Sequence, residues 1–157
     1  MGSKRYLVLG AGVGKAIVYR LARSTNTRLV VIGDMDIEKA VKVSRFVSIR
    51  GRRDKFSRSS KCIPMFFDAE KTQNLVAIFK QFDVVISALP AKYNLKLAEA
   101  AIMAGVHFCD LGGVTDITKQ VKDVKDDGTQ KFEVNDKVRI VDLDKDKGIF
   151  WSKEIYH

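Results

Sequence analysis

The chain has 157 residues, a net charge of +9, and 46% hydrophobic against 30% charged side chains. That is about one domain at roughly 150 residues each, and the composition excludes disorder as the overall state. No apolar run approaches the roughly 20 residues of a membrane span, and Cys62 and Cys109 are too few for a disulfide framework or a metal cluster.

In chain order the pattern alternates strand and helix. Met1-Gly2-Ser3-Lys4-Arg5 is basic, but neither a long apolar stretch nor a cleavage site follows, so no secretory signal is evident and a cytoplasmic protein is expected. Tyr6–Leu9 reads as a short buried strand running into Gly10. Val13, Ala16, Ile17 and Leu21 recur at helical spacing and predict a helix from about Val13 to Arg23. Leu29–Ile32 is a second buried strand, stopped by Gly33-Asp34. Asp36 is placed to cap a second helix whose inner face carries Ile37, Ala40, Val41, Ser44 and Val47. Ile63–Phe67 is a third strand, with Pro64 near its start where a missing N–H is tolerated. Leu75, Ile78, Phe79 and Phe82 mark a short helix, and Val84–Ile86 a fourth strand ending in Ser87-Ala88-Leu89-Pro90. Leu95, Ala98, Ala101 and Ile102 mark a helix that stops at Gly105, and Val106–Cys109 is a fifth strand ending at Asp110-Leu111-Gly112-Gly113.

Strands apolar on both faces, alternating with amphipathic helices, predict a doubly wound parallel α/β sheet in three layers, the Rossmann-like arrangement. Residues 1–118 would form this unit. Residues 119–157 read as a charged, β-rich tail, with a hairpin around Asn135-Asp136 and one more strand at Gly148–Trp151, packed on the same domain or added to its sheet edge.

The strongest chemical signal is Gly10-Ala11-Gly12-Val13-Gly14, where the first strand turns into the first helix. Such a turn lets a pyrophosphate approach the backbone, and the free amides and dipole of the helix start then hold its charge. Asp34, 20 residues past Gly14 at the end of the second strand, stands where a carboxylate accepts hydrogen bonds from adenosine ribose hydroxyls. The spacing departs from the usual fingerprint: only Val13 separates the second and third glycines, and Lys15 occupies the third-glycine position counted from Gly10. Either the turn is one residue tighter or the helix starts earlier. The alternative is a tightly packed turn that binds nothing.

Other candidates carry less. His107, near the expected crevice, lies inside an apolar strand and reads as a packed histidine, and His157 is terminal. Asp34 and Asp36 are better explained by ribose contact and capping than by metal, and nothing else has metal-ligand spacing. Ser87 has neither a glycine elbow nor an evident base, which leaves serine hydrolysis unsupported. Both cysteines read as buried free thiols.

The charge is local. Residues 119–157 carry nine basic and nine acidic side chains, whereas 45–61 contribute seven basic residues against Asp54. That segment reads first as a solvated loop after the second helix. Arg45 or Arg50 reaching a 2′-phosphate would favour NADP, which Asp34 argues against, and Phe46 and Phe56 could stack on nucleic acid. No nucleic-acid module is recognisable around it, so a nucleic-acid partner is disfavoured.

Val8-Leu9-Gly10-Ala11-Gly12, Gly14-Lys15-Ala16-Ile17, Gly33-Asp34-Met35-Asp36 and Glu38-Lys39-Ala40 resemble the N-terminal half of saccharopine dehydrogenases, a half shared by lysine 6-dehydrogenase-like enzymes. The resemblance is clearest from Phe82-Asp83-Val84-Val85-Ile86-Ser87-Ala88-Leu89-Pro90 through Asn94-Leu95 to Gly112-Gly113, and Asp68-Ala69 matches the family's Asp-Ala pair near the adenine. It covers about residues 5–118, excluding 45–61.

The resemblance implies an NAD(P)-dependent oxidoreductase acting on the CH–NH bond of an amino acid. The implied cofactor is NAD, with NADP left open. The implied cofactor-binding set is Gly10, Ala11, Gly12, Val13, Gly14, Asp34, Met35, Asp68, Ala69, Ala88, Leu89 and Pro90. Asp110–Gly113 would close the far side of the crevice. No residue is singled out as catalytic. Family members continue with a second domain that binds substrate and dimerises, and this chain is expected to lack it, so a stand-alone nucleotide-binding or sensor module without catalysis is the alternative. A homodimer is left open.

Overall fold

A computed structural model describes residues 3–51, 61–112, 140–144 and 149–153. Strand β1 (Lys4–Leu9) leads through helix α1 (Gly14–Ala22) to β2 (Thr27–Asp34), and α2 (Ile37–Gly51) leads to β3 (Lys61–Phe66). Helix α3 (Leu75–Phe79), β4 (Val84–Ser87), a 3-10 turn (Ala91–Tyr93), α4 (Asn94–Ala104) and β5 (His107–Asp110) follow. The last described strands are β6 (Ile140–Asp144) and β7 (Ile149–Lys153).

The strands form one sheet in the order β3-β2-β1-β4-β5-β6-β7. All pairs through β6 are parallel, and β7 returns antiparallel on β6. The chain builds outward from β1 to β3, then crosses to the other side of β1 to lay down β4. The sheet therefore reverses its winding between β1 and β4, and strand ends diverge there to leave a crevice.

Period-2 alternation divides the core. Leu7, Leu9, Val31, Val85 and Phe108 meet Leu75 and Phe79 of α3 and Leu97, Ala98 and Ala101 of α4. Val8, Val30, Ile32 and Cys62 meet Val18 and Ala22 of α1 and Ala40, Val43 and Val47 of α2. Each helix pair thus covers one face, giving the three expected layers.

Local chemistry sets the helix ends. The Asp36 carboxylate accepts the Glu38 and Lys39 amides at 3.1 and 3.2 Å and caps α2, and those amides with Lys39 hold its pKa below the usual carboxylate value. Gly105 ends α4 with a φ of +67° that only glycine adopts at little cost.

Two expectations shift. Helix α2 runs on to Gly51, so the start of the basic segment is helical rather than loop. Its turn around residue 47 still buries Val47 and packs Phe46 on the core, while Ser44 donates to the Cys62 carbonyl at 2.6 Å. Ile37 is exposed instead of facing inward. In the tail, β6 and β7 lie at the edge of the sheet, and the hairpin turn at Asn135-Asp136 and residues 52–60 lie outside the described residues.

Cys62 is buried in β3 and Cys109 half-buried in β5. Burial pushes both thiols up to about 11, with the Asp110 carboxylate adding to the effect at Cys109 and a hydrogen bond to Ser44 opposing it at Cys62. Both stay protonated when folded, so their contribution to stability is full below pH ~9 and is lost as pH rises toward ~11. At pH 8, iodoacetamide should alkylate either thiol of the native protein about 100-fold more slowly than after unfolding in guanidinium. Equal rates, read by mass spectrometry, would contradict the burial.

Candidate functional site

The first five strands end along one edge of the sheet, and the loops leaving β1 to β4 gather there. The bend after β1 is the tightest. The Gly10 amide donates to the Gly33 carbonyl at 2.7 Å, and the Ala88 amide donates to the Leu9 carbonyl at 2.7 Å. Gly10 is thereby wedged between the ends of β2 and β4. It has a φ of +98°, and a Cβ there would lie 2.7 Å from the Ala88 carbonyl oxygen.

The three glycines of the bend serve different needs. A Cβ on Gly14 would meet a Val8 methyl at 3.0 Å and Ile32 and Ala88 at 3.6 Å, so Gly14 lets α1 sit close on the sheet. That is the packing role the fingerprint gives to its third glycine. Gly14 takes it one residue early, and the Gly14 amide closes the turn onto the Gly10 carbonyl at 3.1 Å. Lys15 points away, exposed, with its ammonium 4.2 Å above the Phe46 ring. Of the two alternatives left by the spacing, the tighter turn is the one observed.

Gly12 packs against nothing: a Cβ there would have no heavy atom within 4 Å. Val13, the residue before α1, is 64% exposed. No side chain caps the helix start, and its first turn carries no acid. Among the described residues the Gly12 and Val13 amides have no acceptor. The positive end of α1 therefore faces open space.

Beside this opening the Asp34 carboxylate spans two loops. Oδ2 accepts the Ala11 amide at 2.7 Å and Oδ1 the Asp36 amide at 2.8 Å. Around it stand Met35, 70% exposed, and Phe66, 61% exposed, with Phe66 in register with Asp34 across the sheet. Phe66 was missed by sequence reasoning, which read the third strand as apolar throughout. Its pairing with Asp34 is the signal that locates it at the site.

The Phe67 amide donates to the Asp34 carbonyl at 2.9 Å and draws the next loop alongside. The Asp68 carboxylate is occupied locally, accepting the Glu70 and Lys71 amides at 2.9 and 3.2 Å. Ala69 is buried, and its carbonyl accepts the Lys96 ammonium at 2.9 Å. Glu70 reaches the loop after β4, accepting the Tyr93 hydroxyl at 2.7 Å and the Lys92 ammonium at 3.2 Å. The Tyr93 hydroxyl, then Lys92, hold the Glu70 carboxyl below its ordinary range.

Ala88 lies against the glycine bend, Leu89 packs on the core, and Pro90 is exposed at the start of the 3-10 turn. Ser87 and Asn94, one at each end of this loop, are both buried, and the Ser87 hydroxyl donates to the Asn94 side-chain oxygen at 2.9 Å. Across the sheet from Ser87, Asp110 accepts the Gly112 amide at 2.6 Å.

Gly10, Ala11, Gly12, Val13, Gly14, Asp34, Met35, Ala88, Leu89 and Pro90 thus share the strand-end edge, joined by Asp68 and Ala69 through Phe67. His107 does not: it begins β5, where its amide donates to the Asp83 carbonyl, at the edge opposite the crevice. Among the described residues no group of three histidine, cysteine, aspartate or glutamate side chains could hold a metal ion. None of the described helices is long and apolar enough to cross a membrane.

The family model for the saccharopine dehydrogenase NADP binding domain matches residues 6–140. Among solved structures, saccharopine dehydrogenase (L-Glu forming) from Saccharomyces cerevisiae is 18% identical with a TM-score of 0.60, the match covering 76% of this chain and 24% of that one. A shikimate 5-dehydrogenase from Mycobacterium fortuitum is 19% identical, with a TM-score of 0.54 and coverages of 80% and 43%. AtPrR2 with NADP+ and (+)pinoresinol is 20% identical, with a TM-score of 0.52 and coverages of 80% and 46%. The structural matches share the fold, and the chain spans less than half the length of each. With its glycine bend, its doubly wound sheet and a family match over most of its length, the chain is an NAD(P)-binding domain belonging to the saccharopine dehydrogenase family.

Proposed function

We propose that the domain holds NAD, in preference to NADP, across its strand-end edge, and that it does so for an oxidoreductase acting on the CH–NH bond of an amino acid. The observation that carries the binding mode is the open space over Gly12 at the uncapped start of α1, with Asp34 fixed beside it. The Gly12 and Val13 amides of the bend would take the pyrophosphate, and a Cβ at Gly12 would fill the approach. Asp34 would accept the adenosine ribose hydroxyls and repel a 2′-phosphate, with Met35, Asp68 and Ala69 flanking the adenosine. Ala88, Leu89 and Pro90 would line the nicotinamide half. When bound, NAD supplies the hydride acceptor, and the chain supplies position and electrostatics.

The same reading takes residues 1–118 as the binding unit and 119–157 as its extension, and assigns the protein to the cytoplasm. It names a dinucleotide as partner and gives nucleic acid no role.

Calorimetric titration with NAD and NADP tests it. NAD should bind at sub-millimolar concentration and NADP more weakly. Asp34→Ala should raise the Kd for NAD by about tenfold, the worth of a charge-assisted hydrogen bond, and change NADP much less. Equal changes would remove Asp34 from the ribose. Amino-acid-dependent reduction of NAD tests the reaction class, and binding without any reduction favours the stand-alone module.

A further inference from the structure

We infer that the buried Ser87–Asn94 pair is a positioning device that holds the loop 88–93 against the glycine bend and so sets the nicotinamide half of the cleft. This rests on the proposed binding mode.

The pair stands at the two ends of that loop, Ser87 closing β4 and Asn94 opening α4. Both side chains are almost wholly removed from water, at 0% and 3% exposure, and joined at 2.9 Å. Two apolar side chains of similar size would fill the same space without any polar group to satisfy. A buried hydrogen bond adds direction: it fixes one distance between the loop ends, and breaking it leaves a desolvated oxygen unpaired. Loop position matters here because Ala88 has so little room. Its amide bonds the Leu9 carbonyl at 2.7 Å, and its own carbonyl lies 2.7 Å from where a Gly10 Cβ would be. With Ala88 held this way, slack at the loop ends is taken up by residues 89–93, the proposed nicotinamide wall, and the bend itself stays in place. The C-terminal side of the loop is fastened to the neighbouring loop as well, by Tyr93 and Lys92 on Glu70. Ser87–Asn94 is the buried side-chain tie that joins the two ends of the loop to each other.

The test compares NAD with ADP, which carries the adenosine and the diphosphate but ends before the nicotinamide riboside. Calorimetry on wild type, Ser87→Ala and Asn94→Ala should give a Kd for NAD raised about tenfold in each variant. The Kd for ADP should stay within about twofold. A pair that only supports the fold would lower the melting temperature and leave the ratio of the two affinities unchanged, and that result overturns the inference. Ser87→Cys keeps the volume with only a weak S–H donor. It decides the matter if either alanine variant fails to fold, by the same ratio. Wild-type protein that binds no NAD refutes the binding mode itself, before any variant is compared.

Discussion

Gly12→Val is expected to leave the fold standing and to remove dinucleotide binding. Nothing lies within 4 Å of a Cβ at this position, so the branched side chain meets no protein atom at its root. Surface substitutions of this kind cost little, here within about 1 kcal/mol. The same side chain would occupy the space in front of the uncapped start of α1, where the pyrophosphate is proposed to lie. The Kd for NAD should rise by about 100-fold or more, equivalent to about 2.7 kcal/mol, with a thermal melt close to wild type. Unchanged affinity in a folded variant would mean that the diphosphate lies elsewhere.

Gly10→Ala is expected to do the reverse and damage the fold itself. A residue with a Cβ is strained at a φ of +98°, by about 1–2 kcal/mol. The methyl would also stand 2.7 Å from the Ala88 carbonyl oxygen and 3.0 Å from its carbon. Those are backbone atoms tied to Leu9, which cannot swing aside as the tip of a flexible side chain can. Overpacking of this sort costs a further 1–3 kcal/mol or so, so the total is about 2–5 kcal/mol against a typical stability of about 5–15. For a chain of this size the melting temperature should fall by roughly 10 °C. A melt within a degree or two of wild type would show that β1 and the loop after β4 do not approach as closely as described.

These opposite outcomes mark what the sequence alone can and cannot reveal. Three glycines in five residues announce a bend between a strand and a helix, and apolar runs such as Tyr6–Leu9, Leu29–Ile32 and Val84–Ile86 announce buried parallel strands. Both are local patterns, and both are observed. Which glycine yields to the protein and which yields to solvent depends on Ala88, far along the chain, and no local spacing contains that. The same holds for Asp34, whose place at a strand end was legible, whereas its bond to the Ala11 amide was not. Ser87 and Asn94 were visible as residues of a family-like run, but their burial against each other arises only when β4 and α4 pack. Helix α2 ran past its predicted end because arginines are good helix formers and because Phe46 and Val47 still find the core. His107 lies at the far edge because β5 begins, rather than ends, with it.

The double grip on the Asp34 carboxylate bears on how fast a nucleotide can settle. Its rotamer is chosen when the chain folds, by the Ala11 and Asp36 amides, so no conformational entropy of this side chain remains to be lost at the moment of contact. Capture at this end should then proceed as a single bimolecular step, its observed rate rising linearly with nucleotide concentration and showing no plateau from a slow rearrangement.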